Sequence, residues 1–90
     1  MRAKRTDANL QSIVATARKA GFLVHVRNDE LADLDVQLHG KHEVWELKDG
    51  AKAKSRRKLT ALQLLMRDQG WVIRLIESPA DVLLARKEMM

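Results

Sequence analysis

The sequence contains no cysteine, only one proline and only three aromatic residues among its 90 positions. Without cysteine, a disulfide scaffold, a zinc–thiolate site and a thiol nucleophile are all excluded. The longest apolar runs extend over a handful of residues, far short of a membrane span. The N-terminus is basic, but no long apolar segment follows it, so a signal peptide is not expected. These absences favour a protein of a reducing, cytoplasmic compartment that does not associate with membranes.

Charged residues and apolar residues are both abundant in the chain. Hydrophobic residues make up 46% of the chain and charged residues 32%, which is typical of a globular protein rather than a disordered tail. A length of 90 residues predicts a single domain over 1–90. The formal net charge of +5 favours a polyanionic partner, most commonly nucleic acid.

Hydrophobic periodicity predicts seven elements in the order α-β-β-β-α-β-α. This order indicates an α/β (α+β) protein in which a small mixed β-sheet is flanked by helices. Capping residues and turn residues bound the predicted elements. The predicted helices cover 7–20, 60–69 and 78–89, and the predicted strands cover 22–26, 33–38, 43–48 and 71–76.

The central hairpin gathers charged residues on one surface. A four-residue link, 39–42, joins its two alternating strands, and side chains on a strand point to the two faces in turn. Burying the apolar side chains together favours pairs such as Leu34 with Leu47 and Val36 with Trp45. The other face then carries Asp33, Asp35, Glu46 and Lys48.

Three carboxylates and one ammonium on a common surface suggest a metal site. Carboxylate oxygens suit Mg²⁺, which binds one or two carboxylates and keeps several waters. Such a site could promote phosphodiester cleavage. The alternative is an ordinary solvated face on which aspartate and lysine pair across the strands. Pattern alone leaves both interpretations open.

A family resemblance favours the metal site. Asp33, followed after a thirteen-residue step by Glu46-Leu47-Lys48, resembles the D…ExK motif of the PD-(D/E)XK nucleases. The chain is most similar to small stand-alone VRR-NUC-type proteins of phages and bacteria, which are often described as Holliday-junction-resolvase-like. The similarity extends along essentially the whole chain, and its motifs are Asp-Ala-Asn at 7–9, Glu-Leu-Lys-Asp-Gly at 46–50 and Ser-Arg-Arg-Lys-Leu-Thr at 55–60, followed by Gln63.

The resemblance implies a restriction-endonuclease-like core and a Mg²⁺-dependent DNA endonuclease that cleaves branched or flap structures, with Mn²⁺ as a substitute metal. Asp33 and Glu46, together with the Leu47 carbonyl, would bind the metal. Lys48 would position or deprotonate the attacking water. Gln63 would contact the metal-bound water or the phosphate, unless it is simply an exposed helix residue. The family also implies a homodimer in the cytoplasm of a bacterial or phage-infected cell.

Two residues depart from the family pattern. Ala32 precedes the motif aspartate where the family usually has proline, and this change affects local backbone rigidity. Ser12 stands where family members often carry a helix glutamate near the metal. An auxiliary role for Asp35 would compensate for that loss. The alternative function is a catalytically silent nucleic-acid-binding module on the same fold.

Asp33 and Asp35 compete for the role of primary ligand. The apolar register places Asp35 opposite Glu46, whereas the family spacing favours Asp33. We adopt Asp33 as the primary ligand and Asp35 as an auxiliary one, because a position beside a loop leaves room for metal and phosphate.

Contacts with DNA are expected from a basic loop that follows the motif. Proximity to the carboxylates suits this loop for contacts with the phosphate backbone. A base-stacking platform is not expected, because Phe22, Trp45 and Trp71 all lie in apolar runs. The predicted DNA-binding residues are Lys52, Lys54, Arg56, Arg57 and Lys58.

Overall fold

A computed structural model describes residues 8–27, 31–48 and 59–90 of the chain. These residues form three helices and four strands in the predicted order α-β-β-β-α-β-α, so the predicted mixed α+β fold is confirmed. None of the helices within the described ranges is long and apolar enough to cross a membrane. The elements are α1 (Ala8–Lys19), β1 (Leu23–Val26), β2 (Leu34–Leu38), β3 (Lys41–Leu47), α2 (Ala61–Asp68), β4 (Ile73–Ile76) and α3 (Pro79–Met89).

The four strands form one sheet in the order β1-β2-β3-β4. The first three strands are antiparallel neighbours, and β4 lies parallel to β3. A parallel neighbour needs a crossover connection, and α2 lies in the segment that makes it. Helices α1 and α3 contact each other, and both contact the sheet.

The hydrophobic core lies between the sheet and the pair α1 and α3. Trp45 and Leu34 are fully buried there, and the Phe22 ring packs edge-on against Trp45 with centroids 5.1 Å apart. The face of the sheet that carries Trp45 is called the core face below, and the opposite face is called the polar face. Other buried members of the core are Ile13, Val14, Ala17, Val24, Val36, Leu38, Leu47, Ile76, Val82, Ala85 and Met89.

The predicted hairpin register is wrong by two residues. The structure pairs Leu34 with Trp45 and Leu38 with Lys41, so that the link is the two-residue turn His39-Gly40 rather than a four-residue one. Both turn residues have positive φ, 52° at His39 and 79° at Gly40. Two successive positive φ values are typical of a type I′ turn, whose twist matches that of the flanking strands. Strand β3 therefore begins two residues earlier than predicted.

Helix α2 begins as its sequence predicts. The Thr60 side chain accepts a hydrogen bond from the Gln63 backbone N–H, and the Gln63 side chain accepts one from the Thr60 backbone N–H. This reciprocal pair is a capping box, which satisfies two of the N–H groups that a helix start leaves unpaired. The box also holds the Gln63 side chain in one orientation.

Candidate active site

Strand alternation separates the two faces of β3. Trp45, Leu47 and Glu43 point to the core face, whereas Val44 and Glu46 point to the polar face, because Val44 pairs with Asp35 and Trp45 with Leu34. The polar face is partly closed, since Val44 is fully buried there. The functional candidates Asp33, Glu46 and Lys48 all belong to this face or its edge.

Asp33 directly precedes β2 and lies beside the end of β3. Its backbone N–H donates to the Trp45 carbonyl, 3.1 Å away. Its carboxylate Oδ2 accepts a 2.8 Å hydrogen bond from the Leu47 backbone N–H. The register of the hairpin, continued by one residue, places Asp33 across from Glu46. The corrected turn length therefore removes the conflict between register and family spacing.

Glu46 is held by two side chains. Its Oε2 lies 3.2 Å from the Lys48 Nζ, and its Oε1 accepts a 2.8 Å hydrogen bond from the Gln63 Nε2. The side chains of Glu46 and Lys48 are 16% and 17% exposed, so the pair is largely shielded from solvent. A carboxylate held by one cationic and one neutral partner keeps a fixed orientation.

Gln63 is only 1% exposed, so the alternative of an exposed helix residue is wrong. Its amide nitrogen donates to both Glu46 and the Leu31 carbonyl, the latter at 2.6 Å. Its amide oxygen accepts from the Thr60 N–H. Both amide hydrogens and one oxygen lone pair are thus engaged within the protein. This geometry suits Gln63 to positioning Glu46 and leaves it no amide hydrogen for a phosphate.

Asp35 is engaged in a different cluster on the same face. Both of its carboxylate oxygens accept from the Arg27 Nη1, at 2.9 and 3.0 Å. The His42 Nε2 lies 3.3 Å from Asp35 Oδ1. Asp35 pairs with Val44, two residues before Glu46 on β3, so it lies farther along the strand than Asp33 does. The auxiliary role predicted for Asp35 would require it to leave Arg27.

Sequence reasoning missed a second charged cluster, on the core face. Arg74 donates to both carboxylate oxygens of Glu43, at 2.8 and 2.9 Å, and the Trp45 indole N–H donates to one of them at 2.9 Å. Arg74 also bonds Glu88 on α3. The pairing of Trp45 with Arg74 across β3 and β4 brings this cluster together. No local pattern in the sequence predicts it.

The cluster shifts two pKa values. Burial alone would raise the pKa of Glu43, but the hydrogen bonds from Arg74 and Trp45 outweigh burial and hold that pKa below its ordinary value of 4.5. The hydrogen bond to Glu43 raises the pKa of Arg74 above its ordinary value. The pair is therefore ionised at neutral pH and ties β3 to β4.

The donor set at Asp33 and Glu46 fits Mg²⁺ better than a metal that needs a full protein cage. The strand register places these two carboxylate residues across from each other on neighbouring segments, and Mg²⁺ binds through one or two carboxylates while keeping several waters. Within the described ranges, no group of three or more histidine, cysteine, aspartate or glutamate residues could hold a metal ion. A site completed by water and substrate phosphate is compatible with both observations.

The predicted DNA-binding residues fall outside the part of the chain that the structure describes. They are Lys52, Lys54, Arg56, Arg57 and Lys58, in the segment that joins Lys48 to α2. The motif residues Asp7, Asp49 and Gly50 also lie outside the described residues. Ser12 is described, and its side chain is exposed on α1.

Comparisons with protein-family models, with curated proteins and with solved structures found no significant match for this chain.

Proposed function

We propose that the protein is a Mg²⁺-dependent endonuclease that hydrolyses phosphodiester bonds in branched or flap DNA. One observation carries this proposal: Asp33, Glu46 and Lys48 converge at one end of the polar face. The backbone N–H of Leu47, which lies between the two motif residues of β3, bonds the Asp33 carboxylate at 2.8 Å. This hydrogen bond fixes the Asp33 carboxylate beside the motif residues of β3.

Each side chain of the site has a separate role in the proposed reaction. Asp33 and Glu46 would hold Mg²⁺, with the Leu47 carbonyl as a further oxygen donor, and the metal would supply Lewis acidity and a more acidic bound water. Lys48, 3.2 Å from Glu46, orients the attacking water and offsets the negative charge that develops on the phosphate. Gln63 keeps the Glu46 carboxylate in one orientation. Such support is typical of residues behind metal ligands.

The proposed substrate is DNA, and the net charge of +5 supports a polyanion. Lys52, Lys54, Arg56, Arg57 and Lys58 would contact phosphates beside the site. A four-way junction has near-twofold symmetry, so symmetrical cleavage requires two sites and hence a homodimer. A flap substrate requires only one. The proposed setting is the cytoplasm of a bacterial or phage-infected cell.

A cleavage panel tests the proposal. Four-way junction, flap and blunt duplex DNA are incubated with the protein in Mg²⁺, Mn²⁺ or EDTA. We expect cleavage of the junction or the flap in Mg²⁺ or Mn²⁺ and none in EDTA. Glu46→Gln should abolish cleavage, whereas Asp68→Asn, the same change on an exposed residue of α2, should leave it unchanged. Equal activity of wild type and Glu46→Gln would refute the assignment.

A second candidate is a catalytically silent module that binds nucleic acid. Ser12 favours it, because this residue replaces the helix glutamate that the resemblance would lead one to expect. The same panel separates the two functions. DNA binding that persists in EDTA, without cleavage in any metal, would favour the silent module.

A further inference from the structure

Trp71 is the one aromatic residue of the three that does not lie in the core. Its side chain is 41% exposed, whereas Trp45 is fully buried and Phe22 is 4% exposed. Sequence analysis predicted a strand over 71–76, but β4 begins only at Ile73, so Trp71 lies outside the strand. The sequence predicts no base-stacking platform because all three aromatic residues lie in apolar runs, but the structure leaves the Trp71 side chain accessible.

Trp71 lines a surface pocket of about 330 Å³ together with His42, Gln69, Gly70 and Val72. This volume lies at the small end of the range for ligand pockets. The wall combines a flat aromatic ring with an imidazole and an amide. The rim is open at Gly70, where a Cβ would meet no atom within 4 Å. Ring, polar edge and opening are the features that a planar, hydrogen-bonding ligand requires.

The pocket adjoins the polar face that carries the candidate active site. His42 belongs to this face, because its ring contacts Asp35 and it precedes Glu46 by four residues on β3. At about 3.3 Å per residue, the pocket lies roughly 13 Å from Glu46 along the strand. Stacked nucleotides are spaced by about 3.4 Å along one strand, so the gap corresponds to roughly four nucleotides.

We propose that this pocket binds an unpaired nucleobase of the substrate, which stacks on the Trp71 indole about four nucleotides from the scissile phosphate. The proposal rests on the proposed nuclease function and defines its substrate class as DNA with a single-stranded portion beside the cut. Every base has a π-face, so stacking on one aromatic ring tolerates any sequence. A base inside a blunt duplex is already stacked and cannot reach the ring.

The chain contains its own reporter for stacking. Trp71 and Trp45 are its two tryptophans, and Trp45 is 0% exposed. Quenching of tryptophan fluorescence by DNA would therefore report on Trp71. The titration is made with the whole 90-residue chain in EDTA, so that cleavage plays no part, using a thymidine 12-mer and a blunt hairpin duplex as probes.

We expect the 12-mer to quench the fluorescence and the blunt duplex to leave it nearly unchanged. In Trp71→Phe the quenching should disappear, while affinity for the 12-mer, measured by anisotropy of a labelled strand, stays within a few-fold because phenylalanine also stacks. Trp71→Leu should weaken 12-mer binding by about 5- to 150-fold, the range for one lost base–aromatic stack. Affinity for the duplex should be equal in all three proteins.

Leu23→Ala is the matched control. Leu23 is 71% exposed and lies on β1, at the opposite edge of the sheet from β4. Its loss removes exposed apolar surface of the same sheet and should change neither quenching nor affinity. Thermal melts of every variant establish that each one is folded, and Trp71→Phe keeps the test decisive if Trp71→Leu does not fold.

Three results would overturn the proposal: equal quenching by 12-mer and duplex, no quenching by either, or unchanged 12-mer affinity in Trp71→Leu. Dimerisation in light scattering that is lost in Trp71→Leu, without quenching by DNA, would assign the pocket to a second copy of the chain. Failure of the nuclease function is distinguishable from these results. Stacking without cleavage in Mg²⁺ leaves the pocket in place, and cleavage that is insensitive to Trp71 leaves the nuclease in place.

Discussion

Glu43 and Glu46 lie three residues apart on β3 and point to opposite faces of the sheet. Glu43 receives three hydrogen bonds from Arg74 and Trp45, and its side chain is 8% exposed. Glu46 receives one hydrogen bond from Gln63 and a 3.2 Å contact from Lys48, and its side chain is 16% exposed. The first carboxylate has more hydrogen bonds and is more buried, whereas the second keeps more unused acceptor capacity. We infer that Glu43 serves stability and Glu46 serves chemistry.

The largest expected effect separates the two aspartates that flank Leu34. Asp33→Asn should eliminate Mg²⁺-dependent cleavage, because Asp33 lies beside Glu46 and would share the metal with it. Asp35→Asn should retain a measurable part of the activity, because Asp35 pairs with Arg27 and His42 instead. Cleavage rates on the preferred substrate of the panel measure both. The reverse order of severity would show that the metal lies two residues farther along the strand.

Gln63→Glu tests whether the amide positions Glu46. Glutamate at this position preserves the capping box of α2, so the helix should remain intact. An ionised carboxylate cannot donate to Glu46 and repels it, so cleavage should fall by about 10- to 100-fold. Repulsion between the two carboxylates should also raise the pKa of one of them in this variant. The acid limb of its pH–rate profile should therefore move to higher pH. A uniform loss of rate with an unchanged profile would contradict the positioning role.

The stability of the two glutamate variants tests the comparison directly. Glu43→Gln should lower the free energy of unfolding by about 2 to 3 kcal/mol, because it leaves the Arg74 guanidinium without its buried charged partner. Glu46→Gln should change it by less than about 1 kcal/mol in the absence of Mg²⁺, since the loss of the Lys48 pair is offset by relief from Asp33. Urea denaturation measures both. Equal losses would abolish the distinction between a structural and a functional carboxylate.

The loss of stability in Glu43→Gln should depend on pH. The pKa of Glu43 in the folded protein lies below its ordinary value of 4.5, so its ion pair stabilises the fold above that value. This stabilisation disappears as the pH falls through the lowered pKa. The difference in the free energy of unfolding between wild type and Glu43→Gln should therefore be constant from neutral pH to about 5 and should become smaller at lower pH. If this difference did not depend on pH, the loss of stability in Glu43→Gln would come from packing and not from charge.

Stabilisation of the fold by added Mg²⁺ should distinguish Glu46 from Glu43. A ligand that binds only the folded state stabilises it by an amount that grows with ligand concentration. Millimolar Mg²⁺ should raise the melting temperature of wild type and leave that of Glu46→Gln unchanged. Glu43→Gln should retain the response to Mg²⁺, since its carboxylate faces the other side of the sheet.

Local patterns in the sequence predict the elements but not every contact between them. Period and capping residues identified all seven elements, and the alternation of β2 and β3 assigned Asp33, Glu46 and Lys48 to one side of the sheet. The pairing of Glu43 with Arg74 and the burial of Gln63 depend on how β4 and α2 return to the sheet. Those contacts join residues 31 and 17 positions apart, beyond the reach of any local pattern.

The hairpin register was missed for a local reason. Histidine is an uncommon choice for a positive φ, although it is enriched there relative to most residues, so His39-Gly40 does not resemble the usual Asn-Gly turn. Pairing the apolar residues of the two strands then favours a four-residue link. The error preserved the faces, because a shift of two residues does not exchange them, but it misplaced Asp33 relative to Glu46.

The smallest expected effect concerns this turn, which sets the register that brings Asp33 to Glu46. Gly40 has a φ of 79°, and a Cβ added there would meet no atom within 4 Å, so the cost of Gly40→Ala is conformational rather than steric. We expect a loss of about 1 kcal/mol, or about 4–8 °C in melting temperature. His39→Asn should instead stabilise the turn slightly, because asparagine adopts positive φ more readily. Thermal melts of the two variants measure both changes. A four-residue link in solution would leave Gly40→Ala without effect, and it would return Asp35 to the position opposite Glu46.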